Sequence, residues 1–287
     1  MGKVRVGLSG WSYDEWRGRF YPEDLPRGDE LEYASRRFET LEINGTFYRL
    51  ADPESCRVWR DTAPQGFKYA VKGSRYITHT RRLTGVRHAV ANFLASGILE
   101  LGSALGPILW QLPPDMTFDG QALNGFLGLL PHDTEAAVSL AKEHDDRVEE
   151  TSYGDGANHR VRHVIEARHD SFLDAGVARI AREHGVALAI SHSSKWPVIT
   201  QLTAGFVYVR LHGPSELYAS RYPDTELETW AERIEKWHGG GVVRDLQTIS
   251  DLGPPERQER DVYVYFNNTD GGFATEDCEK LSEILHG

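Results

Sequence analysis

Cysteine is scarce in this sequence: Cys56 and Cys278 are the two in 287 positions. Two thiols so far apart make neither a disulfide framework nor a metal cluster, which points to structural thiols and a cytoplasmic protein. Long apolar runs are missing as well. The best candidate, residues 91–110, is interrupted by Asn92, Glu100 and Pro107, so no segment reads as a bilayer span and no membrane is expected as a partner. The stretch from Met1 to Val6 has none of the apolar character of a secretory signal. Basic residues are outnumbered, with 32 Lys and Arg against 43 Asp and Glu, for a net charge of −11. That balance argues against a surface coated for nucleic acid, although it leaves room for a local basic groove. No His-x-His, His-Glu-x-x-His or Cys-x-x-Cys spacing occurs, and no glycine-rich dinucleotide fingerprint. Gly239-Gly240-Gly241 is followed by Val242-Val243-Arg244 rather than by the Lys and hydroxyl residue of a phosphate loop, so it reads as a connector. Neither a cofactor nor a tightly held metal is therefore expected.

What is present is a repeated alternation. Eight short β-branched, aromatic or aliphatic runs read as buried strands: Val4–Ser9, Thr40–Asn44, Lys68–Lys72, Gly106–Leu112, His163–Arg168, Ala187–His192, Phe206–Leu211 and Val262–Phe266. Helical patterns follow most of them, over Asp29–Phe38, Glu54–Ala63, Val86–Ser103, Phe118–Leu129, Ser171–His184, Leu227–Trp237 and Thr275–Leu285. Strand–helix alternation repeated about eight times predicts an α/β fold, a single TIM-like (β/α)₈ barrel with a closed parallel sheet and outer helices. Two polar stretches, 133–162 and 239–260, exceed the minimal repeat and read as insertions, the first a surface helix followed by a loop. The connection after the sixth strand is too short for a full helix.

The strands end, on their C-terminal side, in polar and ionisable residues. In a parallel barrel these ends converge on one face, where active sites of this architecture lie. Residues two apart share a face, so Glu42 pairs with Asn44, Glu166 with Arg168 and Arg210 with His212. Carboxylates and guanidinia inside strands need partners to offset desolvation, and a purely structural ion network would also satisfy that need. Because the polar groups come from seven or eight strands, a ligand-binding cluster is the stronger reading.

These same stretches resemble the YecE-like family, also called domain of unknown function 72. The resemblance is carried by Gly7-Leu8-Ser9-Gly10-Trp11-Ser12-Tyr13, Glu42-Ile43-Asn44-Gly45-Thr46-Phe47-Tyr48, Phe67-Lys68-Tyr69-Ala70-Val71-Lys72 and Arg75-Tyr76-Ile77-Thr78-His79. It continues through Gln111-Leu112-Pro113-Pro114, Glu166-Ala167-Arg168-His169, Tyr208-Val209-Arg210-Leu211-His212-Gly213 and Val262 to Asn268. It implies a TIM-like barrel and supplies no reaction. The sequence departs from the family pattern at Thr269, where an acidic residue is common, and at Asp277-Cys278.

The residues allow several chemistries. For acid–base or hydrolytic work on a small anionic or sugar-like molecule, Glu42 and Glu166 are the candidate base and acid, with His212 as a further proton carrier. His79 and His169 are alternatives. Lys72, Arg75, Arg168 and Arg210 would hold an anionic group. Trp11, Tyr13, Phe47 and Tyr48 would wall the site, and Asn44, Gln111, Asn267 and Asn268 would add polar contacts. Metal-dependent hydrolysis would use Glu166, His169 and His212, but neighbouring cations oppose it. Basic and aromatic residues interleave between Lys68 and Arg82, with Arg17 to Tyr21 nearby in type, which admits nucleic-acid binding or repair-endonuclease chemistry as an alternative. A non-catalytic binding module is the remaining reading.

Overall fold

A computed structural model describes residues 2–256 and 259–287. Nine parallel strands form one sheet: β1 (Val4–Ser9), β2 (Thr40–Ile43), β3 (Lys68–Lys72), β4 (Leu105–Gln111), β5 (Arg162–Glu166), β6 (Ala187–Leu188), β7 (Ile190–His192), β8 (Phe206–Leu211) and β9 (Asp261–Phe266). Their order is β6-β5-β4-β3-β2-β1-β9-β8-β7. The two ends of that ladder are consecutive pieces of one chain segment. Ala187–Leu188 pairs with β5, Ile190–His192 pairs with β8, and Ala189 between them donates its N–H to the Ile165 carbonyl. The sheet therefore runs round on itself as a TIM-like barrel, and the expected sixth strand changes partners halfway along.

The helices are α1 (Glu30–Ser35), α2 (Gly45–Tyr48), α3 (Pro53–Thr62), α4 (Arg87–Ala95), α5 (Gly120–Leu127), α6 (Thr134–Ala141), α7 (Ala175–Glu183), α8 (Asp224–His238) and α9 (Phe273–His286). Four start at an aspartate whose carboxylate accepts backbone N–H groups of the first turn: Asp52, Asp119, Asp133 and Asp174. Each such cap contributes about 1 kcal/mol. The single helix expected over Val86–Ser103 is two pieces, α4 and a 3₁₀ segment Ile98–Ala104. The break is at Gly97, whose φ is +113° and where a Cβ would meet the Pro53 backbone at 2.7 Å. Of the two polar stretches, 133–162 supplies α6, and described residues of 239–260 form no helix or strand. No helix among the described residues is long and apolar enough to cross a membrane.

Side-chain alternation divides the apolar residues into two bodies. Leu8, Leu41, Val71, Ile108, Trp110, Ile165, Val209 and Val264 face outward and pack beneath the helices. Ala70, Leu109, Val164, Ala189, Tyr208 and Tyr265 fill the barrel interior. Each fully buried large apolar side chain contributes roughly 1.5–3 kcal/mol. One step above that interior plug, the inward positions turn polar. Register places Ser9 beside Glu42, Gln111 beside Glu166 and Ser191 beside Arg210.

Candidate functional site

The polar layer is organised on Arg210, which is 1% exposed between two carboxylates that are wholly buried. Its Nη1 donates to Glu166 Oε2 at 2.6 Å and its Nη2 to Glu42 Oε1 at 2.7 Å. Nη2 also reaches Ser9 Oγ at 3.1 Å. Glu42 further accepts from Tyr208 Oη at 2.6 Å and from Ser9 Oγ. Glu166 accepts from Arg168 Nε at 2.9 Å and from Ser191 Oγ at 3.1 Å. Burial alone would push both carboxyl groups up. Arg210 and Lys72 outweigh it at Glu42, and Arg168 and Arg210 outweigh it at Glu166, so both titrate below the usual range. Both are ionised at neutral pH. Both carboxylates are thus bonded to guanidinium donors in this arrangement rather than set apart in different surroundings.

His212 is wholly buried beside Glu166, with Nε2 3.6 Å from Oε1. Burial depresses its pKa to about 4, so the ring is neutral. Lys72 projects from the end of β3 with its ammonium 4.3 Å from the centre of the Phe47 ring. Among the described residues it makes no ion pair within 4 Å, although Glu42 and Glu166 act on it through space. Burial and then Arg210 lower its pKa to about 8. His79 sits against the same Phe47 ring at 5.0 Å; burial, and then Lys72, Arg75 and Arg168, bring it down to about 4. These cations thus share one rim. The Arg168 guanidinium lies over the Trp196 ring at 3.9 Å, and Trp196 also meets His212 edge-on at 5.0 Å. Tyr218 hangs over His212 in a left-handed backbone conformation, φ +67°, with its N–H donated to the His212 carbonyl. Strain of this kind is held only where surrounding structure imposes it.

Three buried polar atoms in this layer have no hydrogen-bond partner among the described residues: Asn44 Oδ1, Arg210 Nε and His212 Nε2. Such atoms are costly unless something fills their need.

The candidates separate cleanly. Glu42, Asn44, Lys72, Gln111, Glu166, Arg168, Arg210, His212 and Asn267 are brought together inside the barrel end, Gln111 turning its Nε2 to the Leu112 carbonyl. Tyr13 joins them by donating to the Ser9 carbonyl at 2.7 Å, and burial with Glu42 raises its pKa to about 12. Arg75 and Tyr48, which is 71% exposed, stand at the rim near His79 and Phe47. Trp11 is not there: it packs edge-on against Trp59 of α3 and Tyr69, outside the barrel. Asn268 faces outward and is tied to Asp277 under α9 at 2.8 Å. His169 caps the following turn, its Nδ1 accepting from the Ser171 N–H. Consequently Glu166, His169 and His212 are not gathered as ligands, and no group of three or more His, Cys, Asp or Glu placed to hold a metal ion occurs among the described residues. The basic run between Lys68 and Arg82 is split as well. Lys68 opens at the opposite end of the barrel from Lys72, Tyr69 is buried, and Arg17 is committed to Glu30 at 2.9 Å. Tyr208, Trp196 and Tyr218 were missed, and Ser9 and Ser191, though polar strand ends, were not among the candidates. Tyr208 and Ser9 lay within reach of the two-residue alternation; Trp196 and Tyr218 come from loops, where spacing carries no direction.

A parallel α/β barrel with an ion network at the carboxyl ends of its strands defines the class of protein. Within that class, the chain belongs to the DUF72 family, described as a protein of unknown function, whose model matches residues 5–287. It is similar to the UPF0759 protein YecE of Escherichia coli K12, with 28% identity over 82% of each chain. It is also similar to the UPF0759 protein YunF of Bacillus subtilis, with 21% identity covering 98% of this chain and 94% of that one. Among solved structures it resembles a DUF72 family protein of Thermotoga maritima, with TM-score 0.73, 21% identity and 99% of both chains covered. A second likeness is a DUF72 family protein of Enterococcus faecalis, with TM-score 0.69, 15% identity and 99% and 96% coverage. These structural likenesses carry the fold alone.

Proposed function

We propose that this barrel is an enzyme that takes a small anionic or sugar-like molecule at the carboxyl ends of its strands and acts on it by proton transfer. The observation that carries the reading is Lys72: a half-buried ammonium with no carboxylate within ion-pair distance among the described residues, beside a layer whose carboxylates, though they act on it through space, are bonded to guanidinia. An anionic group of the substrate is the natural counter-charge, with Arg75 steering it from the rim and Arg168 over Trp196 nearby. The unpartnered Asn44 Oδ1 would accept from a hydroxyl of the same molecule, and Tyr13, Phe47 and Tyr48 would bound it.

Proton transfer falls to groups poised near neutrality. Lys72 is the one whose proton is labile at physiological pH. His212, neutral with Nε2–H toward the site, would act as a hydrogen-bond donor, and Glu42 and Glu166 would hold Arg210 and His212 in place. A thermal-shift screen with phosphorylated sugars, sugar acids and neutral sugars tests this. With the opposite pole silenced by Lys68→Met, anions stabilise the protein and not its Lys72→Met derivative, and Glu166→Gln weakens the effect. If no anion or sugar raises the melting temperature, the reading fails.

A further inference from the structure

The opposite end of the barrel carries a second cluster that this function does not use. We infer that the N-terminal pole binds a phosphate-sized oxyanion in a cavity walled by Arg5, Lys68, Arg160 and Arg162. The cavity measures about 190 Å³. That is smaller than the 300 Å³ or more typical of sites for drug-sized ligands, so a small ion is the fitting occupant. Four basic side chains line it, and Asp261 is the one carboxylate among the lining residues.

The residues get there by the same alternation that builds the upper site. Arg5, Lys68 and Arg162 are inward positions at the starts of β1, β3 and β5. Arg162 spends itself on Asp261 at 2.6 Å and on Tyr263 Oη at 2.7 Å. Arg5, whose side chain is nine-tenths buried, has Asp261 at 3.6 Å, too far for a hydrogen bond. Its Nη1 is buried with no hydrogen-bond partner among the described residues. Lys68 donates to the Ser103 carbonyl and, among the described residues, meets no carboxylate within ion-pair distance, Asp261 acting on it only through space. Its pKa is lowered by burial first and then by Arg5 and Arg162, the mark of like charges held together. His159, also on the wall, is engaged by Asp155 at 3.1 Å.

A seal for the barrel bottom would account for part of this. Arg5 lies over Tyr263 at 5.4 Å and Arg162 over Phe206 at 5.2 Å. Contacts of that kind hold guanidinia flat but cancel no charge. A seal needs packing, not Arg5, Lys68 and Arg162 gathered around Asp261. A tetrahedral oxyanion would receive hydrogen bonds from Arg5 Nη1 and Lys68 and relieve their repulsion. The site is independent of the barrel mouth and of the chemistry proposed there.

The test uses the full chain with the mouth silenced by Lys72→Met and Arg75→Gln. Inorganic phosphate is titrated against chloride at constant ionic strength. A rise in melting temperature of about 2–4 °C is expected once phosphate exceeds its dissociation constant about tenfold. Adding Lys68→Met, which leaves Arg5 and Asp261 untouched, abolishes the rise. A larger rise with ribose 5-phosphate assigns the anion to a phosphomonoester; an equal or smaller one assigns it to the free ion. In the same background the NMR signal of the Lys68 ammonium moves with phosphate, a readout that survives should the Lys68 variant fold poorly. No rise in the silenced protein, a rise that persists without Lys68, or an unmoved Lys68 signal overturns the inference.

Discussion

Asn267 donates Nδ2–H to Nδ1 of His212 at 2.9 Å. This contact leaves the ring proton on Nε2, the nitrogen that faces Glu166. The second nitrogen of a buried imidazole is set by whatever the first one bonds. The Nε2–H tautomer should be the sole form of His212 in ¹⁵N spectra at neutral pH, and the ring should stay neutral down to about pH 5, because burial holds its pKa near 4. In Asn267→Ala the tautomers should mix.

Arg210 is the hub of the layer, so its loss strands two buried carboxylates. Arg210→Met should cost about 3–5 kcal/mol or more in denaturant unfolding, the range for removing one partner of a buried ion pair. Replacing all three charged groups together, as Glu42→Gln, Glu166→Gln and Arg210→Met, should cost less than the sum of the separate changes. Additive losses would mean that the three do not act as one unit.

The two glutamates make stability depend on acid. Their folded pKa values lie below the unfolded ones. Their contribution is therefore complete above the ordinary glutamate pKa and lost as pH falls through the depressed folded values. Melting temperature followed from pH 6 downward should fall steeply below about pH 4. The fall should be shallower in Glu166→Gln, which has one such group fewer.

Lys72 has the opposite bearing on stability. Its folded pKa is about 8, below the ordinary lysine value. Between about pH 8 and pH 10.5 the unfolded chain holds a proton that the fold has released, so this group's contribution to stability rises with pH through that window. At neutral pH the fold carries a charge it does not favour. Lys72→Met should thus raise the melting temperature at pH 7 while abolishing anion binding at the carboxyl ends of the strands, the signature of a group kept for function at a cost in stability.

Much of this was legible in the sequence, for a definite reason. Strand alternation puts Glu42, Glu166 and Arg210 inside, and parallel strands bring their ends together, so the ion network follows from spacing alone. The same parity that turns Asn267 inward turns Asn268 outward. Trp11 lies past the end of β1, where the chain is free to turn, and it turns back onto Trp59. A list of strand-end polar and aromatic residues therefore admits Asn268 and Trp11, which the structure places outside the site. The acid–base roles of the glutamates were not legible either. They depend on how many donors reach each carboxylate, and Tyr208, Ser9 and Ser191 add theirs through side-chain geometry. Trp196, from a loop without a helix, supplies the face on which Arg168 rests.

The central claim is that the Lys72 ammonium, which has no carboxylate within ion-pair distance among the described residues, takes an anionic ligand as its counter-charge. Lysine-selective ¹⁵N labelling in the Lys68→Met variant, which removes the competing cluster at the other pole, lets the Lys72 signal be followed directly. The account predicts titration near pH 8 without ligand, and a shift together with a raised pKa when a phosphorylated sugar or other small anion is added. A Lys72 that titrates near pH 10.5 and ignores every anion offered would contradict it.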